Sequence, residues 1–166
     1  MKKNCFITLV VALILFTTAC SHKEKTRDER IEDFRSELTA EDSTTMLRLA
    51  DNAMEQLKAK NIDAVIASLF EYDDSTKEVK PLSDATAKRY SRMFRIYPVL
   101  SYVREYYSFM LEGCNDVKYC VTFATAEQAG TKSPATTMFM FNPVKVDGEW
   151  KLCVKTPTDL TDEEHQ

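Results

Sequence analysis

The chain has 166 residues, enough for one domain, with 22 basic and 26 acidic side chains and a net charge of −4. This acidic balance argues against a general nucleic-acid binder, which needs a basic face to engage phosphates. The two histidines, His22 and His165, lie near the chain ends, so histidine-dependent hydrolytic catalysis is excluded for the domain between them. Three isolated glycines exclude a glycine-rich phosphate loop.

The first residues have the three parts of a secretory signal peptide. Lys2 and Lys3 give a positive start, an apolar run extends from Leu9 to Phe16, and small residues then lead to Cys20. The apolar stretch is shorter than the about 20 residues that a membrane-spanning helix needs. We therefore predict that residues 1–19 are removed, which changes the net charge to −6 because two lysines leave with them.

The four residues Thr17-Thr18-Ala19-Cys20 resemble the lipobox of bacterial lipoproteins. Thr18 and Ala19 fit this pattern, whereas Thr17 stands in place of the usual aliphatic residue, a relaxed form typical of Bacteroidota lipoproteins. The resemblance implies a lipid on the sulfur of Cys20, and hence an anchor in the cell envelope. No acidic run follows Cys20, which favours the outer membrane with the domain facing the periplasm. The alternative is cleavage before Cys20 without lipidation.

A polar tether and a short helix are predicted before the main domain. Residues 21–30 are wholly polar, and Ile31, Phe34 and Leu38 then recur at helical spacing. The predicted organisation is a signal peptide over 1–19, a lipidated cysteine, tether and helix over 20–38, a domain over 39–156 and an acidic tail over 157–166.

Three helices are predicted at the start of the domain. Thr39 and Asp42 resemble a capping box, and an apolar stripe follows at helical spacing out to about Lys60. Asn61 and Asp63 offer caps for a second helix, which extends through Phe70 and is ended by the Asp73-Asp74-Ser75 turn. A third begins at Pro81 and Ser83 and stops at Tyr97, because Pro98 disfavours helix there.

After Pro98 the hydrophobic period changes to two, which predicts strands. Apolar residues alternate over 103–111 and again over 117–123, the segment 136–141 is apolar on both faces, and Asp147-Gly148 marks a hairpin before a last strand over 150–154. Helices followed by strands predict an α+β fold, with N-terminal helices packed on a curved antiparallel sheet.

Three cysteines remain in the domain: Cys114, Cys120 and Cys153. Their odd number leaves at least one thiol unpaired in an exported protein, and their spacing matches neither a redox motif nor a zinc site. In a simple meander Cys120 and Cys153 lie two strands apart, about 9.5 Å, beyond the about 7 Å that a disulfide allows. We predict no structural disulfide, no metal and no cofactor.

The segments 61–70 and 146–152 are similar to the second helix and the closing hairpin of the nuclear-transport-factor-2-like superfamily. This resemblance covers residues 39–155 and implies a cone whose open end holds a small ligand. Its enzymatic members place a carboxylate and a tyrosine or histidine in the cone. Without histidine, only a tyrosine donor with a carboxylate base is available here, drawn from Tyr102, Tyr106, Tyr107, Tyr119 and Glu105.

Glu105 is the first catalytic candidate, because it interrupts an apolar face formed with Val103 and Tyr107. A carboxyl group there would have its pKa raised by desolvation, as a general base needs. The alternative is an ion pair between Glu105 and a surface lysine at a strand edge. Tyr107 is the second candidate, and its alternative is a packing role.

Two classes of function follow. The favoured one is a non-catalytic, lipid-anchored domain that binds a hydrophobic small ligand or an envelope protein. The other is a small tyrosine–carboxylate isomerase or cyclase. A homodimer through the outer sheet face is compatible with both, although four polar residues there disfavour a large apolar interface. These residues are Lys118, Thr122, Lys151 and Lys155.

Overall fold

The computed structural model describes residues 25–111 and 113–154 as helices packed on a curved, unclosed sheet of six strands. The helices are Arg27–Glu37 (α1), Ala40–Lys58 (α2), Ile62–Ser68 (α3), Asp84–Ile96 (α4) and Ala126–Ala129 (α5). The strands are Leu69–Asp73 (β1), Glu78–Pro81 (β2), Ser101–Phe109 (β3), Asn115–Ala124 (β4), Ala135–Val146 (β5) and Glu149–Val154 (β6). The predicted α+β class is confirmed.

Helix α2 is the main helical contact of the sheet. It begins at the predicted capping box, in which the Thr39 hydroxyl accepts from the Asp42 amide while the Asp42 carboxylate accepts from the Thr39 amide. Its apolar stripe faces the core as predicted. The buried members are Met46, Ala50, Ala53, Met54 and Leu57. Helix α1 begins at a similar box, of Thr26 and Glu29, but has no buried residue.

The predicted extension of the second helix through Phe70 is wrong. Helix α3 ends at Ser68, and the next five residues form β1, which pairs with β2 in a hairpin. A short apolar run fits a helix or a strand equally well by its period. Pairing decides, because Leu69 lies beside Leu152 of β6 and both side chains are buried. Asn61 provides no side-chain cap; its amide donates to Gln56 instead.

The strand order is β2-β1-β6-β5-β4-β3. All neighbours are antiparallel except β1 and β6, which are parallel, so the prediction of a purely antiparallel sheet is corrected at this one pair. The predicted hairpin between β5 and β6 is confirmed. Asp147 and Gly148 have φ of 50° and 85°, and a two-residue type I′ turn needs positive φ at both positions.

A β-bulge at Glu105 breaks the predicted alternation of β3. Arg104 pairs with Tyr119 and Tyr106 pairs with Lys118, so Glu105 is the extra residue of the bulge. Val103 therefore does not share a face with Tyr107, and its side chain is 69% exposed on the outer face. The single apolar face predicted for this strand is wrong for that reason.

Strand β5 lies between β4, which carries Cys120, and β6, which carries Cys153. This is the arrangement that the sequence analysis predicted for these two cysteines. Within the described residues Cys120 and Cys153 form no disulfide with each other. Burial raises the pKa of the Cys153 thiol to about 12, so this thiol stays protonated. None of the helices within the described ranges is long and apolar enough to cross a bilayer.

Candidate functional site

Aromatic side chains occupy the interior between the helices and the sheet. The ring of Phe94 from α4 meets that of Phe139 from β5 edge-on, with 5.3 Å between centroids. Tyr119 and Phe141 also meet edge-on and are 0% and 1% exposed. These rings belong to the buried core. The ligand-holding end that the resemblance implies stays a prediction.

Two tyrosine–carboxylate pairs join α2 to strands β3 and β4. The Tyr119 hydroxyl donates to Asp51 Oδ1 at 2.7 Å, and the Tyr102 hydroxyl donates to Glu55 Oε1 at 2.5 Å. Asp51 and Glu55 are four residues apart and so lie on the same helix face. Arg104 Nη1 lies 3.5 Å from Asp51 Oδ2. The sequence named both tyrosines and missed both of these carboxylates.

The electrostatics of these pairs keep both phenols protonated. Burial, followed by the hydrogen bond to Asp51, raises the pKa of Tyr119 well above its usual value of 10. Burial and the bond to Glu55 raise the pKa of Tyr102 in the same direction. A protonated phenol bonded to a carboxylate is a donor, and here each donor links the helix to the sheet. The arrangement therefore fixes the position of α2.

The two predicted catalytic candidates lie elsewhere on β3. The Glu105 carboxylate is 44% exposed and pairs with Lys118 Nζ at 3.2 Å. This is the alternative that the sequence left open, an ion pair at a strand edge. Tyr107 is 54% exposed, and its ring lies 5.2 Å from that of Phe109. Cys20, the predicted lipidation site, lies outside the described residues.

A third acidic residue of α2, Asp42, is fixed by the closing hairpin. Asp42 Oδ1 accepts from Lys145 Nζ at 2.9 Å and from Trp150 Nε1 at 2.7 Å. The bond from Lys145 is the largest influence on the pKa of Asp42, followed by the bonds from Thr39 and Trp150, and together they lower it well below 3.8. Trp150 thus anchors the start of α2.

A groove between α3 and α4 has an unusual combination of charge and apolar surface. Its volume is about 680 Å³. Lys88, Arg92 and Arg95 follow one another at spacings of four and three residues, so they form a stripe along one face of α4. The lining residues are Ile66, Ala87, Lys88, Ser91, Arg92, Arg95 and Ile96, and none of these seven is acidic. We call this the α3–α4 groove.

The cations of the α3–α4 groove are directed to solvent. The closest acid recorded for Arg95 is Asp63, at 3.3 Å, and both side chains are mostly exposed. Ile96 is 52% exposed and adds apolar surface beside these cations. The sequence signal for this stripe is the basic spacing 88, 92 and 95, which lies apart from the apolar positions that predict this helix.

A second groove, of about 570 Å³, lies between α1 and the turns that follow β1 and β3. Its lining contains both acids and bases, whereas the charged residues of the α3–α4 groove are all basic. In this second groove three acids balance three bases. The charged lining residues are Arg27, Arg30, Asp33, Glu37, Asp74 and Lys77. In the described ranges no three His, Cys, Asp or Glu side chains are arranged to hold a metal ion.

The outer face of the sheet carries a small apolar patch that the sequence did not predict. Val103, Cys120 and Met138 lie side by side on β3, β4 and β5. Val103 is 69% and Met138 is 46% exposed. Lys118 borders this patch and pairs with Glu105, so the predicted polar character holds for part of the face only.

Comparison with known proteins gives one structural similarity. No family model matches the chain, and no curated protein matches it. Among solved structures, a Campylobacter jejuni protein assigned as an NTF2-like transpeptidase is 15% identical, with a TM-score of 0.38. The match covers 65% of this chain and 96% of that one. A similarity of this extent says nothing about what this chain binds or catalyses.

Proposed function

We propose that this protein is a lipid-anchored protein of the cell envelope whose α+β domain binds an acidic partner protein in the α3–α4 groove. The observation that carries the proposal is the groove itself, in which three cations border an apolar floor on a chain of net charge −4. A basic site on an acidic protein is selective, because the rest of the surface repels the same partner.

The packing of aromatic rings in the core favours a site in the α3–α4 groove over one at the position of these rings. Small-molecule sites bury most of their ligand in a preformed cavity. Here the rings of Phe94, Phe139 and Phe141, with Tyr119 beside them, pack in the core between helices and sheet. A ligand entering there would have to displace closely packed aromatic side chains.

The groove is matched to a short amphipathic segment. The stripe from Lys88 to Arg95 covers seven residues of helix, about 10 Å, and suits three or four carboxylates along one peptide. Ile66 and Ile96 offer apolar contact to a single aliphatic side chain between them. We therefore assign the partner class as an acidic peptide segment with one aliphatic anchor.

A binding experiment with a defined peptide tests the groove. The probe is a fluorescein-labelled 12-mer with four Glu and one Leu in a Gly/Ser background, measured by anisotropy against the full chain. We expect Arg92→Glu to weaken binding at least tenfold, because it reverses the central charge of the stripe. The control is Arg48→Glu, on the exposed surface of α2, which should leave binding within twofold. Equal loss in both variants would show that only overall charge matters.

A labelling experiment tests the anchor. In a bacterial host fed an alkyne-tagged fatty acid, the full chain should carry the label and sediment with membranes, because lipidation requires the thiol of Cys20. Cys20→Ser should abolish both results. The control is Cys114→Ser, which removes an exposed thiol of the domain and should change neither. Label retained in Cys20→Ser would contradict the anchor.

The enzymatic alternative has one observation in its favour, since a tyrosine and a carboxylate meet twice, at Asp51 and at Glu55. Against it, Tyr119 is 0% exposed, and both phenols serve as donors that hold α2 to the sheet. The binding function therefore remains the better supported proposal.

A further inference from the structure

We propose that residues 157–164 of this same chain bind in the α3–α4 groove and thereby compete with the acidic partner. This inference rests on the proposed function, because it names an intramolecular occupant for the same groove. The segment follows the last described strand, and its acidic side chains are opposite in charge to the cations of the groove.

The charge of the segment is complementary to that of the groove. It contains four acids, Asp159, Asp162, Glu163 and Glu164, and one large aliphatic residue, Leu160. The groove offers three cations and an apolar floor, with no acid among its lining residues. Four carboxylates around one leucine are what the proposed function requires of a partner peptide. Salt should weaken the contact, because these cations are exposed to solvent.

The segment leaves the domain close to the groove. Val154, the end of β6, pairs with Glu71 of β1. The Glu71 carboxylate accepts from the hydroxyl of Ser83 at 2.8 Å, and Ser83 is the N-cap of α4. Lys88 follows five residues later, about 7.5 Å along the helix axis. The chain thus leaves the last strand next to the start of the helix that carries the stripe.

The segment is also long enough. Five residues separate Val154 from Asp159, which gives a reach of at most about 17 Å. Ten residues separate Val154 from Glu164, a reach of at most about 33–36 Å. The stripe itself covers about 10 Å, so acids at both ends of the segment can meet its cations at the same time.

Competition follows from the tether. A short covalent connection gives the segment an effective concentration in the millimolar range at the groove, so even a weak site is occupied. A peptide from another molecule must displace the segment. The apparent affinity of that peptide equals its intrinsic affinity multiplied by the fraction of molecules whose groove is unoccupied. The segment would therefore raise the concentration of partner needed for binding.

The first test uses the full chain with the segment neutralised by Asp159→Asn, Asp162→Asn, Glu163→Gln and Glu164→Gln. The labelled Glu/Leu 12-mer should bind this variant at least fivefold more tightly than the unaltered chain. The matched control neutralises four exposed acids elsewhere, and it should change affinity less than twofold. These control changes are Glu32→Gln, Glu37→Gln, Glu41→Gln and Glu127→Gln.

The second test locates the segment by carbodiimide cross-linking of the full chain, which joins an amine to a carboxylate in direct contact. Peptides joining Lys88 to the acids of residues 159–164 should be found by mass spectrometry, and Arg92→Glu should reduce them at least fivefold. Lys132, an exposed lysine in the loop after α5, serves as the reference and should give few such products.

The outcomes separate the two proposals. Equal tightening in the neutralised chain and in its control, or equal cross-linking at Lys88 and Lys132, overturns the inference about residues 157–164. If the 12-mer still binds and still depends on Arg92, the groove function survives that result. If the 12-mer binds neither the unaltered nor the neutralised chain, the proposed function fails as well.

Discussion

Helices α2 and α4 both carry a row of charged side chains, yet the two rows serve different ends. On α2, Asp42, Asp51 and Glu55 each accept a hydrogen bond from a side chain of the sheet. On α4, the cations of the α3–α4 groove face solvent, and one exposed aspartate is the recorded partner of Arg95. The acids of α2 help to determine the fold, whereas the cations of α4 remain accessible to a ligand.

The acids of α2 and the cations of α4 differ in the groups that surround them. Carboxylates of α2 meet phenol, indole and ammonium donors that the sheet brings to them, and half-buried charge-assisted bonds are stronger than exposed ones. The cations of α4 gain little from exposed ion pairs, since such pairs contribute at most about 1 kcal/mol. Charge that contributes little to folding is free to contribute to binding. Three substitutions test this contrast, in order of expected effect on stability.

Asp42→Asn should have the largest effect, because Asp42 receives bonds from Thr39, Lys145 and Trp150 at the start of α2. We expect a loss of about 2 kcal/mol in the free energy of unfolding at pH 7, from the weakened cap and charge-assisted bonds. Urea unfolding followed by circular dichroism measures it. Glu41→Gln, a neighbouring exposed change, should cost less than about 0.5 kcal/mol.

The effect of Asp42 should depend on pH. The pKa of Asp42 is lower in the folded protein than the ordinary value near 3.8. At a pH between the folded and the ordinary pKa, Asp42 is therefore protonated in the unfolded chain and ionised in the folded protein. The stabilisation is therefore complete above about pH 5 and is lost progressively as pH falls below 4. Unfolding at pH 7 and pH 3 should show a smaller difference between Asp42→Asn and the unaltered protein at pH 3. A constant difference would contradict the assignment.

Tyr119→Phe should have the next largest effect. The substitution keeps the buried ring and removes the hydroxyl that bonds Asp51, so we expect a loss of about 1 kcal/mol. Tyr102→Phe is the matched comparison and should cost less, because its partner Glu55 is exposed to water. Denaturant midpoints measured at neutral pH give both values. A larger cost at Tyr102 would show that burial does not control the strength of these links.

Arg92→Glu should have the smallest effect on folding, within about 0.5 kcal/mol, because the side chain lies on the exposed rim of the α3–α4 groove. Thermal unfolding measures this directly. Together with the expected loss of peptide binding, an unchanged midpoint would separate ligand recognition from stability. A loss of several kcal/mol would instead place Arg92 among the residues that maintain the fold, and the contrast between α2 and α4 would fail.

Much of the architecture could be predicted because its signals are local. The capping box of Thr39 and Asp42, the apolar stripe of α2 and the Asp147-Gly148 turn each lie within a few neighbouring residues. The Leu69–Asp73 strand could not be predicted, since its identity depends on pairing with β6, far away in the chain. The bulge at Glu105 could not be predicted for the same reason, and neither could the partner of Glu105, which is Lys118 of the neighbouring strand.

The sequence by itself determined that helices come before strands, where most of them begin and end, and that no histidine serves the domain. These follow from short-range periodicity, capping and composition. Only the tertiary structure decided that aromatic rings pack together in the core, that the acids of α2 meet tyrosines of the sheet, and that three cations of α4 border an apolar groove. Those facts depend on which distant segments become neighbours, and long-range packing leaves no periodic mark in a single sequence.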